Sequence, residues 1–317
     1  MKKIIAIVAG EPKSINVEII AKSWIKRKNK KVNLFVIGNF LLLKKQLKKN
    51  KFNIPIKKVT SIKDLIFRNY LNILEIPLKF NHPYKIDKKE ISKYVLKSIN
   101  LAHKLALNNE INGFINCPID KSIVFGSKKI GMTEYLAKKN GLKNSEVMMI
   151  YNKNLAVVPI TTHIPIKSVS KILNTSLIEK KITSLIKNYI KLFKKKPRIA
   201  ILGLNPHNDE FRKSSEEIRI ILPAIKKLKK KKYKIVGPVS SDMVFVKRNK
   251  YDVIVGMYHD QVLTPFKTIY NFDAINVTLG LKYIRVSPDH GTADNIIGLN
   301  KADPSSLIGA IDFFSKI

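Results

Sequence analysis

The 317-residue sequence predicts an α/β fold built on a mostly parallel sheet. Short runs of β-branched residues alternate with longer amphipathic stretches, which is typical of successive strand–helix units. The first run, Ile4–Ala9, is apolar on both faces, as a central parallel strand is when helices cover both sides of the sheet. Three histidines also directly follow apolar runs, at the strand ends where ligands bind in open α/β sheets.

Strands are predicted where β-branched runs are bounded by polar or turn-forming residues. They are Ile4–Ala9, Val32–Ile37, Leu71–Ile76, Gly113–Cys117, Ala156–Ile160, Arg198–Leu202, Lys234–Val236, Val253–Gly256, Ala274–Val277 and Tyr283–Val286. Helices are predicted from apolar residues at helical spacing, at Asn16–Lys28, Asp87–Asn108, Thr133–Asn140, Ser176–Phe193, Ser215–Leu228 and Pro304–Phe314. Thr133 is a predicted N-cap, and so are Asp87 and Ser214, each with a glutamate three residues later as in a capping box.

The net charge of +37, from 60 basic against 23 acidic residues, suggests nucleic-acid binding at first sight. Only seven of the basic residues are arginines, however, and arginine is favoured for gripping phosphates and reading bases. The lysines are spread along most of the chain. Since Lys, Asn and Ile share A/T-rich codons, we interpret the charge chiefly as nucleotide bias at tolerant surface positions, and we do not expect nucleic acid as the partner.

Composition excludes several other classes of protein. With 45% hydrophobic residues the chain can bury a large core, which excludes disorder. No stretch approaches the roughly 20 apolar residues that span a membrane, and the run Ile4–Ala9 is too short for a signal peptide. The single cysteine, Cys117, excludes an internal disulfide. These features predict a cytoplasmic protein with no membrane partner.

Histidines carry the first chemical signal. His163, His207 and His259 each lie just beyond the carboxyl end of an apolar run. Singly, such residues are more often structural hydrogen-bonding side chains, but three in one topological position also fit a divalent metal with an open coordination position. Asp260 could orient His259 or accept a proton. His290 lies in a polar loop that fits either a ligand site or an ordinary turn.

A second polar set, Lys267, Asn276 and Arg285, adjoins predicted strands in the C-terminal third. An arginine at a strand end in so lysine-rich a chain favours bidentate binding of a phosphate or carboxylate, although a surface arginine fits as well. Lys267 by itself is one of many lysines. The sequence has no glycine-rich dinucleotide fingerprint and no P-loop, so it predicts no Rossmann-type cofactor site.

Short motifs in a fixed order give a more specific signal. They are GEP at Gly10–Pro12, NCPIDK at Asn116–Lys121, TEYLA at Thr133–Ala137, TTHIP at Thr161–Pro165, GLNPH at Gly203–His207, GP with SSD at Gly237–Asp242, MYHDQ at Met257–Gln261, NVTLGL at Asn276–Leu281, IR at Ile284–Arg285 and DHGTA at Asp289–Ala293. Each is weak alone, but the ordered set runs through most of the chain. It resembles the family of 4-hydroxythreonine-4-phosphate dehydrogenases, NAD-dependent, metal-requiring enzymes of vitamin B6 biosynthesis.

This resemblance implies roles for the residues. The divalent metal (Zn²⁺, Mg²⁺ or Co²⁺) would be bound by His163, His207 and His259. The phosphorylated substrate would meet Met132, Thr133, Lys267, Asn276 and Arg285, with Lys267 or Asp260 as the catalytic base. The loop that would bind NAD, or NADP, is similar to the cofactor loop of isocitrate and isopropylmalate dehydrogenases, and comprises His290, Gly291, Thr292, Ala293 and Asn295.

The resemblance also implies two α/β/α lobes of the isocitrate/isopropylmalate dehydrogenase-like fold with the active-site cleft between them. The outer lobe would comprise 1–128 and 262–317 and carry the cofactor loop. The central lobe, 129–261, would carry the metal ligands and the dimer interface. A homodimer would complete the active site across its interface, with one metal histidine, His259, coming from the neighbouring subunit.

Three departures from the family pattern lie near these residues. Met132 stands where the family has the histidine of a GHTE motif, and a thioether can neither donate a hydrogen bond nor carry charge. KSINVE at Lys13–Glu18 replaces a glycine-rich AGIGPE, and NDEFRKS at Asn208–Ser214 replaces a small, glycine-containing loop. These changes leave the three histidines intact.

The expected reaction is oxidation of 4-phosphooxy-threonine to a β-keto acid that loses CO₂ to give 3-amino-2-oxopropyl phosphate. Two alternatives remain from the sequence. One is a related dehydrogenase of another phosphorylated hydroxy acid, such as 4-phosphothreonate or 4-phosphoerythronate. The other is an inactive relative that has kept the fold and binds nucleic acid through its charge.

Overall fold

The structure, a computed structural model, describes residues 2–27, 31–126, 131–142 and 145–317. Its strands are β1 (Lys3–Val8), β2 (Val32–Gly38), β3 (Ile56–Val59), β4 (Leu71–Glu75), β5 (Gly113–Asn116), β6 (Val147–Tyr151), β7 (Ala156–Pro159), β8 (Ile199–Leu202), β9 (Ile235–Val239), β10 (Val253–Gly256), β11 (Ile275–Leu279) and β12 (Ile284–Pro288). Its helices are α1 (Asn16–Lys26), α2 (Phe40–Lys49), α3 (Lys88–Leu107), α4 (Lys121–Phe125), α5 (Met132–Lys139), α6 (Val169–Ile172), α7 (Thr175–Phe193), α8 (Leu222–Lys230), α9 (Ser241–Val244), α10 (His259–Tyr270) and α11 (Ser305–Lys316).

The chain divides into two compact units. Unit 1 comprises Met1–Met132 and Lys282–Ile317, and unit 2 comprises Thr133–Leu281. The sequence-based boundary between 128 and 129 lies outside the described residues. The predicted return to the outer lobe is at 262, whereas unit 2 continues to Leu281, because α10 packs on β7 and β10 and β11 pairs with β6.

Unit 1 contains a parallel sheet in the order β3-β4-β2-β1-β5-β12. Strand β1 lies inside it, paired with β2 on one side and β5 on the other. Helices α3 and α11 pack against this strand, and Ile5, Ala6 and Val8 are fully buried. The prediction of a central parallel strand that is apolar on both faces is confirmed.

Unit 2 contains strands in the order β11-β6-β7-β10-β8-β9. Strand β6 runs antiparallel to both of its neighbours, β11 and β7. The remaining strands, β7, β10, β8 and β9 in sheet order, are parallel to one another. Val157, Ile254 and Phe266 belong to a buried apolar cluster in which α10 contributes side chains against the sheet. The α/β fold class with a mostly parallel sheet is thus confirmed.

Several elements were not predicted, each for a physical reason. Strand β3 is a short stretch that contains two lysines, and its sheet position at the edge lets those lysines reach water. Helix α10 begins immediately after a strand, without a side-chain cap, and has Pro265 in its interior. Of the predicted caps, Asp87 accepts from the backbone N–H groups of Lys89 and Glu90. Thr133 is not an N-cap, because α5 already begins at Met132.

Among the described residues, no helix is both long enough and apolar enough to cross a membrane.

Candidate functional site

The three predicted metal histidines lie on loops that leave neighbouring strands of unit 2. His163 follows β7, His207 follows β8, and His259 is the first residue of α10, which follows β10. Strand β10 pairs in parallel with β7 on one side and with β8 on the other. Because parallel neighbours end at the same edge of a sheet, the three loops emerge together at the carboxyl edge of this part of the sheet.

His163 and His259 lie side by side in the same chain. Their ring centroids are 5.5 Å apart, with an interplanar angle of 41°. Nδ1 of His259 lies 2.6 Å from Oδ1 of Asp260, so that Nε2 is the nitrogen presented to a ligand. Imidazole nitrogens oriented by a carboxylate are common ligands of Zn²⁺ and of similar divalent metals. The donor set of this pair therefore fits a divalent metal.

His207 is placed differently. Its side chain is 72% exposed, and its Nδ1 lies 3.8 Å from a carboxylate oxygen of Glu210. Residues His207 to Phe211 all have φ between 47° and 59°, a left-handed turn that presents the histidine to solvent. No three His, Cys, Asp or Glu side chains within the described ranges are arranged to hold a metal. One chain thus brings together two of the three predicted ligands.

Glu217 anchors the start of the loop that carries His207. This fully buried carboxylate accepts hydrogen bonds from the backbone N–H groups of Leu204 at 2.7 Å and Asn205 at 2.8 Å. Burial alone would raise the pKa of Glu217, but the hydrogen bonds from Asn205 and Leu204 outweigh it and hold this pKa below its usual value. The predicted capping box of Ser214 and Glu217 is wrong, because the Glu217 carboxylate accepts from the backbone of the loop at Leu204 and Asn205 instead.

Three of the predicted substrate residues, Thr133, Lys267 and Asn276, lie in unit 2. The Thr133 hydroxyl is buried in α5, 3.3 Å from the Thr278 hydroxyl of β11. Asn276 lies on the same strand, and its Oδ1 is buried without a hydrogen-bond partner among the residues that the structure describes. A buried acceptor of this kind costs free energy unless a ligand or water satisfies it.

Lys267 lies in the last turn of α10, not next to a strand as predicted. Its side chain is exposed. It lies eight positions after His259 in this helix, which corresponds to about 12 Å along the helix axis. Within its own chain, Lys267 thus lies about two helical turns from His259.

Arg285 lies on β12 in unit 1 and is 2% exposed, so the alternative of a surface arginine is wrong. Its Nε donates to Oδ1 of Asn116 at 2.6 Å, at the end of the adjacent strand β5. The contact fixes the plane of the guanidinium. Met132, the substitute for the family's histidine, is buried at 5% exposure at the start of α5.

The predicted cofactor loop follows β12 in unit 1. The carbonyl of Thr292 accepts from the backbone N–H of Ile15 at 3.1 Å, and Asp294 forms a 3.3 Å ion pair with Lys13. His290 Nδ1 lies 3.0 Å from the carbonyl of Gly291. The loop after β12 thus lies against the loop after β1, at the carboxyl edge of the unit 1 sheet. Ala293 has a left-handed conformation, and Asn295 is exposed in a short turn.

The same edge of unit 1 holds a buried acid, Glu11, for which the sequence predicts no role. The side chain is 3% exposed, and neither carboxylate oxygen makes a hydrogen bond of normal geometry within the described part of the chain. Burial raises the pKa of Glu11 to about 7, and nearby backbone N–H groups of Lys13 and Asp120 offset this only in part. The signal that could have revealed it is its place in the GEP motif directly after a buried strand.

The loop after Glu11 contains one of the segments that depart from the family pattern. Nδ2 of Asn16, which stands in the glycine-poor KSINVE segment, donates to the carbonyls of Ala9 at 2.9 Å and Pro118 at 2.8 Å. The side chain thereby ties the loop after β1 to the loop after β5.

Comparison with known proteins agrees with this architecture. The model of the family described as "Pyridoxal phosphate biosynthetic protein PdxA" matches residues 30–314. The 4-hydroxythreonine-4-phosphate dehydrogenase of Sulfurihydrogenibium sp. (strain YO3AOP1) is 36% identical, covering 97% of this chain and 96% of that protein. The D-threonate 4-phosphate dehydrogenase of Pectobacterium atrosepticum is 32% identical over the full length of both chains.

Solved structures show the same relationship. The crystal structure of 4-hydroxythreonine-4-phosphate dehydrogenase from Klebsiella pneumoniae has a TM-score of 0.87 at 30% identity, with 99% of each chain covered. A β-decarboxylating dehydrogenase from Thermococcus kodakarensis has a TM-score of 0.50 at 12% identity, which shows a shared fold only. The expected isocitrate/isopropylmalate dehydrogenase-like fold is therefore confirmed. By sequence and by structure, the chain belongs to the family of the pyridoxal phosphate biosynthetic protein PdxA, and it is an oxidoreductase of that family.

Proposed function

We propose that this chain oxidises the secondary alcohol of 4-phosphooxy-threonine with NAD, or NADP, as hydride acceptor. The observation that carries the proposal is the pair of His163 and His259 with Asp260 on Nδ1, at the strand ends of a chain similar over nearly its full length to 4-hydroxythreonine-4-phosphate dehydrogenases. The product is a β-keto acid, which loses CO₂ readily because its ketone accepts the electron pair, and gives 3-amino-2-oxopropyl phosphate.

His163 and His259 would hold a divalent metal (Zn²⁺, Mg²⁺ or Co²⁺), and His207 would supply the third nitrogen. When bound, such a metal lowers the pKa of a hydroxyl that coordinates it. Asp260 has an orienting role here, because its Oδ1 is hydrogen-bonded to His259. That assignment leaves Lys267 as the base that takes the hydroxyl proton.

Other residues of the chain would position the substrate. The guanidinium of Arg285, fixed by Asn116, would bind an anionic group of the substrate, and the unpartnered Oδ1 of Asn276 would accept from an ammonium or hydroxyl group. Thr133 would contact the phosphate. Such positioning residues hold the reacting carbon against the hydride acceptor.

The dinucleotide would bind at the loop formed by His290, Gly291, Thr292, Ala293 and Asn295. Support for this comes from the contact of that loop with the loop after β1, which makes a surface of backbone and polar side chains without a Rossmann fingerprint.

We further propose a homodimer whose active sites are completed across the interface. Lys267 is exposed and lies about 12 Å along α10 from His259 of its own chain. We therefore assign it to the active site of the neighbouring subunit. The single cysteine of the chain, Cys117, is buried and forms no disulfide, so the protein needs no oxidising compartment. We propose that the enzyme acts in the cytoplasm.

The direct test is NADH formation, followed by absorbance, from 4-phosphooxy-threonine and NAD with Zn²⁺, Mg²⁺, Co²⁺ or a chelator. Turnover that depends on metal is expected. His163→Ala and His259→Ala should each abolish it while leaving the folded state intact by circular dichroism. Absence of turnover with every metal, in folded protein, would overturn the proposal.

A second substrate is favoured by one specific feature. Met132 removes a polar group from the predicted substrate contacts, and a D-threonate 4-phosphate dehydrogenase is among the full-length relatives. Turnover of 4-phosphooxy-threonine, 4-phosphothreonate and 4-phosphoerythronate, measured in parallel as kcat/KM, separates the two functions. A higher value for either acid than for the amino acid would replace the first proposal with the second.

A further inference from the structure

Gln261 lies two residues after His259, in the first turn of α10, and its side chain makes hydrogen bonds to three different segments of the chain. Its Oε1 accepts from the backbone N–H of Met257 at 2.7 Å. Its Nε2 donates to the carbonyl of Gly203 at 2.7 Å and to the hydroxyl of Ser241 at 2.8 Å. The amide therefore uses its acceptor and both donor hydrogens at once.

Two of these contacts fall on the histidine loops. Met257 lies two residues before His259, and Gly203 lies four residues before His207. Gln261 thus ties the end of β10 to the end of β8 through a single rigid amide group. Ser241, the third partner, begins α9 after β9.

The loop that carries His163 is fixed to the same peptide unit. The carbonyl of Met257 accepts from the backbone N–H of Thr161 at 3.1 Å and from the Thr161 hydroxyl at 2.7 Å. Met257 therefore binds Thr161 through its carbonyl and Gln261 through its N–H. The loops of His163 and His259 therefore meet at Met257, and Gln261 links this residue to Gly203 in the loop of His207.

The backbone is shaped to let the glutamine come close. A Cβ atom on Gly256, at the end of β10, would lie 2.9 Å from Oε1 of Gln261 and 2.6 Å from a methyl carbon of Val262. Neither distance is compatible with ordinary van der Waals contact. Glycine at this position is what allows the first turn of α10 to fold back onto the strand end.

We propose that Gln261 is a positioning residue that sets the mutual register of the three histidine loops and thereby the affinity of the site for its metal. In this role Gln261 acts through the loops and not as a ligand, because its amide is already bonded to Met257, Gly203 and Ser241. This inference rests on the proposed function, since it assumes that the histidines bind a divalent metal. Residues that orient metal ligands typically contribute 10- to 100-fold to metal affinity.

The test is Co²⁺ binding to the purified, metal-free full chain, with the dissociation constant from calorimetry and the coordination geometry from the visible absorption spectrum. Gln261→Met keeps the side-chain volume and removes all three hydrogen bonds. We expect it to weaken Co²⁺ binding 10- to 100-fold and to change the spectrum. Gln261→Glu keeps the acceptor for Met257 but sets a carboxylate oxygen against the carbonyl of Gly203, so it should also weaken Co²⁺ binding and change the spectrum. It serves as the second variant if the methionine variant does not fold.

Two controls separate positioning from a general loss of hydrogen bonds. Ser241→Ala removes only the contact outside the histidine loops and should change the dissociation constant less than about twofold. Gln46→Met removes another buried glutamine, which bridges the carbonyls of Pro12 and Pro83 in unit 1. This variant should lower the melting temperature without changing Co²⁺ affinity or its spectrum.

The possible failures are distinguishable. If the unaltered chain binds Co²⁺ and both Gln261 variants bind it with the same affinity and spectrum, the positioning role is refuted while the proposed function stands. If the unaltered chain binds no Co²⁺, the metal dependence of the proposed function fails, and the role of Gln261 fails with it.

Discussion

The imidazole rings of His163 and His259 lie 5.5 Å apart, centroid to centroid, within a single chain. The family resemblance implies that His259 comes from a neighbouring subunit, whereas the contact between these two rings lies within one chain. This pairing can be tested by mixing inactive variants. Chains with His163→Ala and chains with His259→Ala, refolded together, should remain inactive, because every site then lacks one of the two rings.

The companion experiment mixes His163→Ala with Lys267→Ala. If Lys267 serves the neighbouring subunit, each mixed dimer has one intact site, and about a quarter of the unaltered activity should return when dimers form at random. The measurement is NADH formation, with each variant alone as the control. No recovery in this mixture, or recovery in the first, would contradict the assignment of residues to subunits.

Glu11 gives a prediction for the dependence of stability on pH. Its pKa is raised from 4.5 to about 7 in the folded chain, because the carboxyl group is buried next to Asp120 with only partial compensation from Lys13. Between these two values the folded state binds more protons than the unfolded state, so the stabilising contribution is complete below about pH 4.5 and is lost as the pH rises towards 7.

Glu11→Gln should therefore unfold with a free energy about 1–3 kcal/mol higher than that of the unaltered chain at about pH 8, and with little difference at about pH 4.5. Urea unfolding at both pH values measures this. Glu110→Gln is a matched control on the exposed surface of unit 1 and should have no such effect. A Glu11→Gln variant that is less stable at the higher pH would show that the ionised carboxylate is satisfied.

Glu217 predicts the opposite dependence. The pKa of Glu217 is lowered in the folded chain. Its contribution to the free energy of unfolding is therefore present above the pKa of the unfolded state and is lost as the pH falls through the pKa of the folded state. Glu217→Gln should cost about 1.5–3 kcal/mol at neutral pH, because the backbone N–H groups of Leu204 and Asn205 then donate to a neutral amide oxygen and Nδ2 of Asn205 loses the second carboxylate oxygen. The difference should shrink in acid. Glu216→Gln, which loses one bond from Asn205 Nδ2, should cost less, and an equal cost in the two variants would contradict the anchoring role.

Gly256→Ala should destabilise the chain by about 1–3 kcal/mol, because its Cβ atom would overlap Val262 and press on Gln261. Thermal unfolding measures the loss. The matched control is Gly291→Ala, whose Cβ atom would meet nothing within 4 Å. Equal stability of the two variants would mean that the first turn of α10 moves without cost.

Met132→His restores the residue type that the family pattern has at this position. If the lost polar contact limits the reaction, kcat/KM for 4-phosphooxy-threonine should rise by about tenfold, which corresponds to one hydrogen bond of about 1.4 kcal/mol. Because Met132 is buried, a lower melting temperature is expected as well. Met132→Leu should leave kcat/KM unchanged, and a similar rise in both variants would exclude the contact as the cause.

The sequence was sufficient for elements with a strong apolar pattern. Strand β10 has the predicted bounds, and β1 is shifted by one residue, because a buried parallel strand needs apolar side chains on both faces. Helix α10 escaped prediction because it starts on polar residues and contains Pro265. Strand β6 escaped because Met148 and Met149 interrupt its β-branched pattern.

The candidate site could be predicted only up to its loops. The strand-end rule is enough to expect His163 near His259, since β7 and β10 are neighbours. It cannot supply the left-handed turn that exposes His207, which depends on backbone conformations that no residue type there demands. Nor can it reveal Gln261 and Glu217, whose partners are backbone groups far away in sequence.

The division of the chain into units has a consequence for its biosynthesis. Residues of unit 2 are contiguous, whereas β5 of unit 1 receives its parallel neighbour β12 only after the whole of unit 2 has been translated. At roughly 5–20 residues per second, the ribosome needs roughly 10–30 seconds to pass from one strand to the other. During that interval the nascent chain carries an open strand edge at β5, a surface that invites chaperones or aggregation until the last segment emerges.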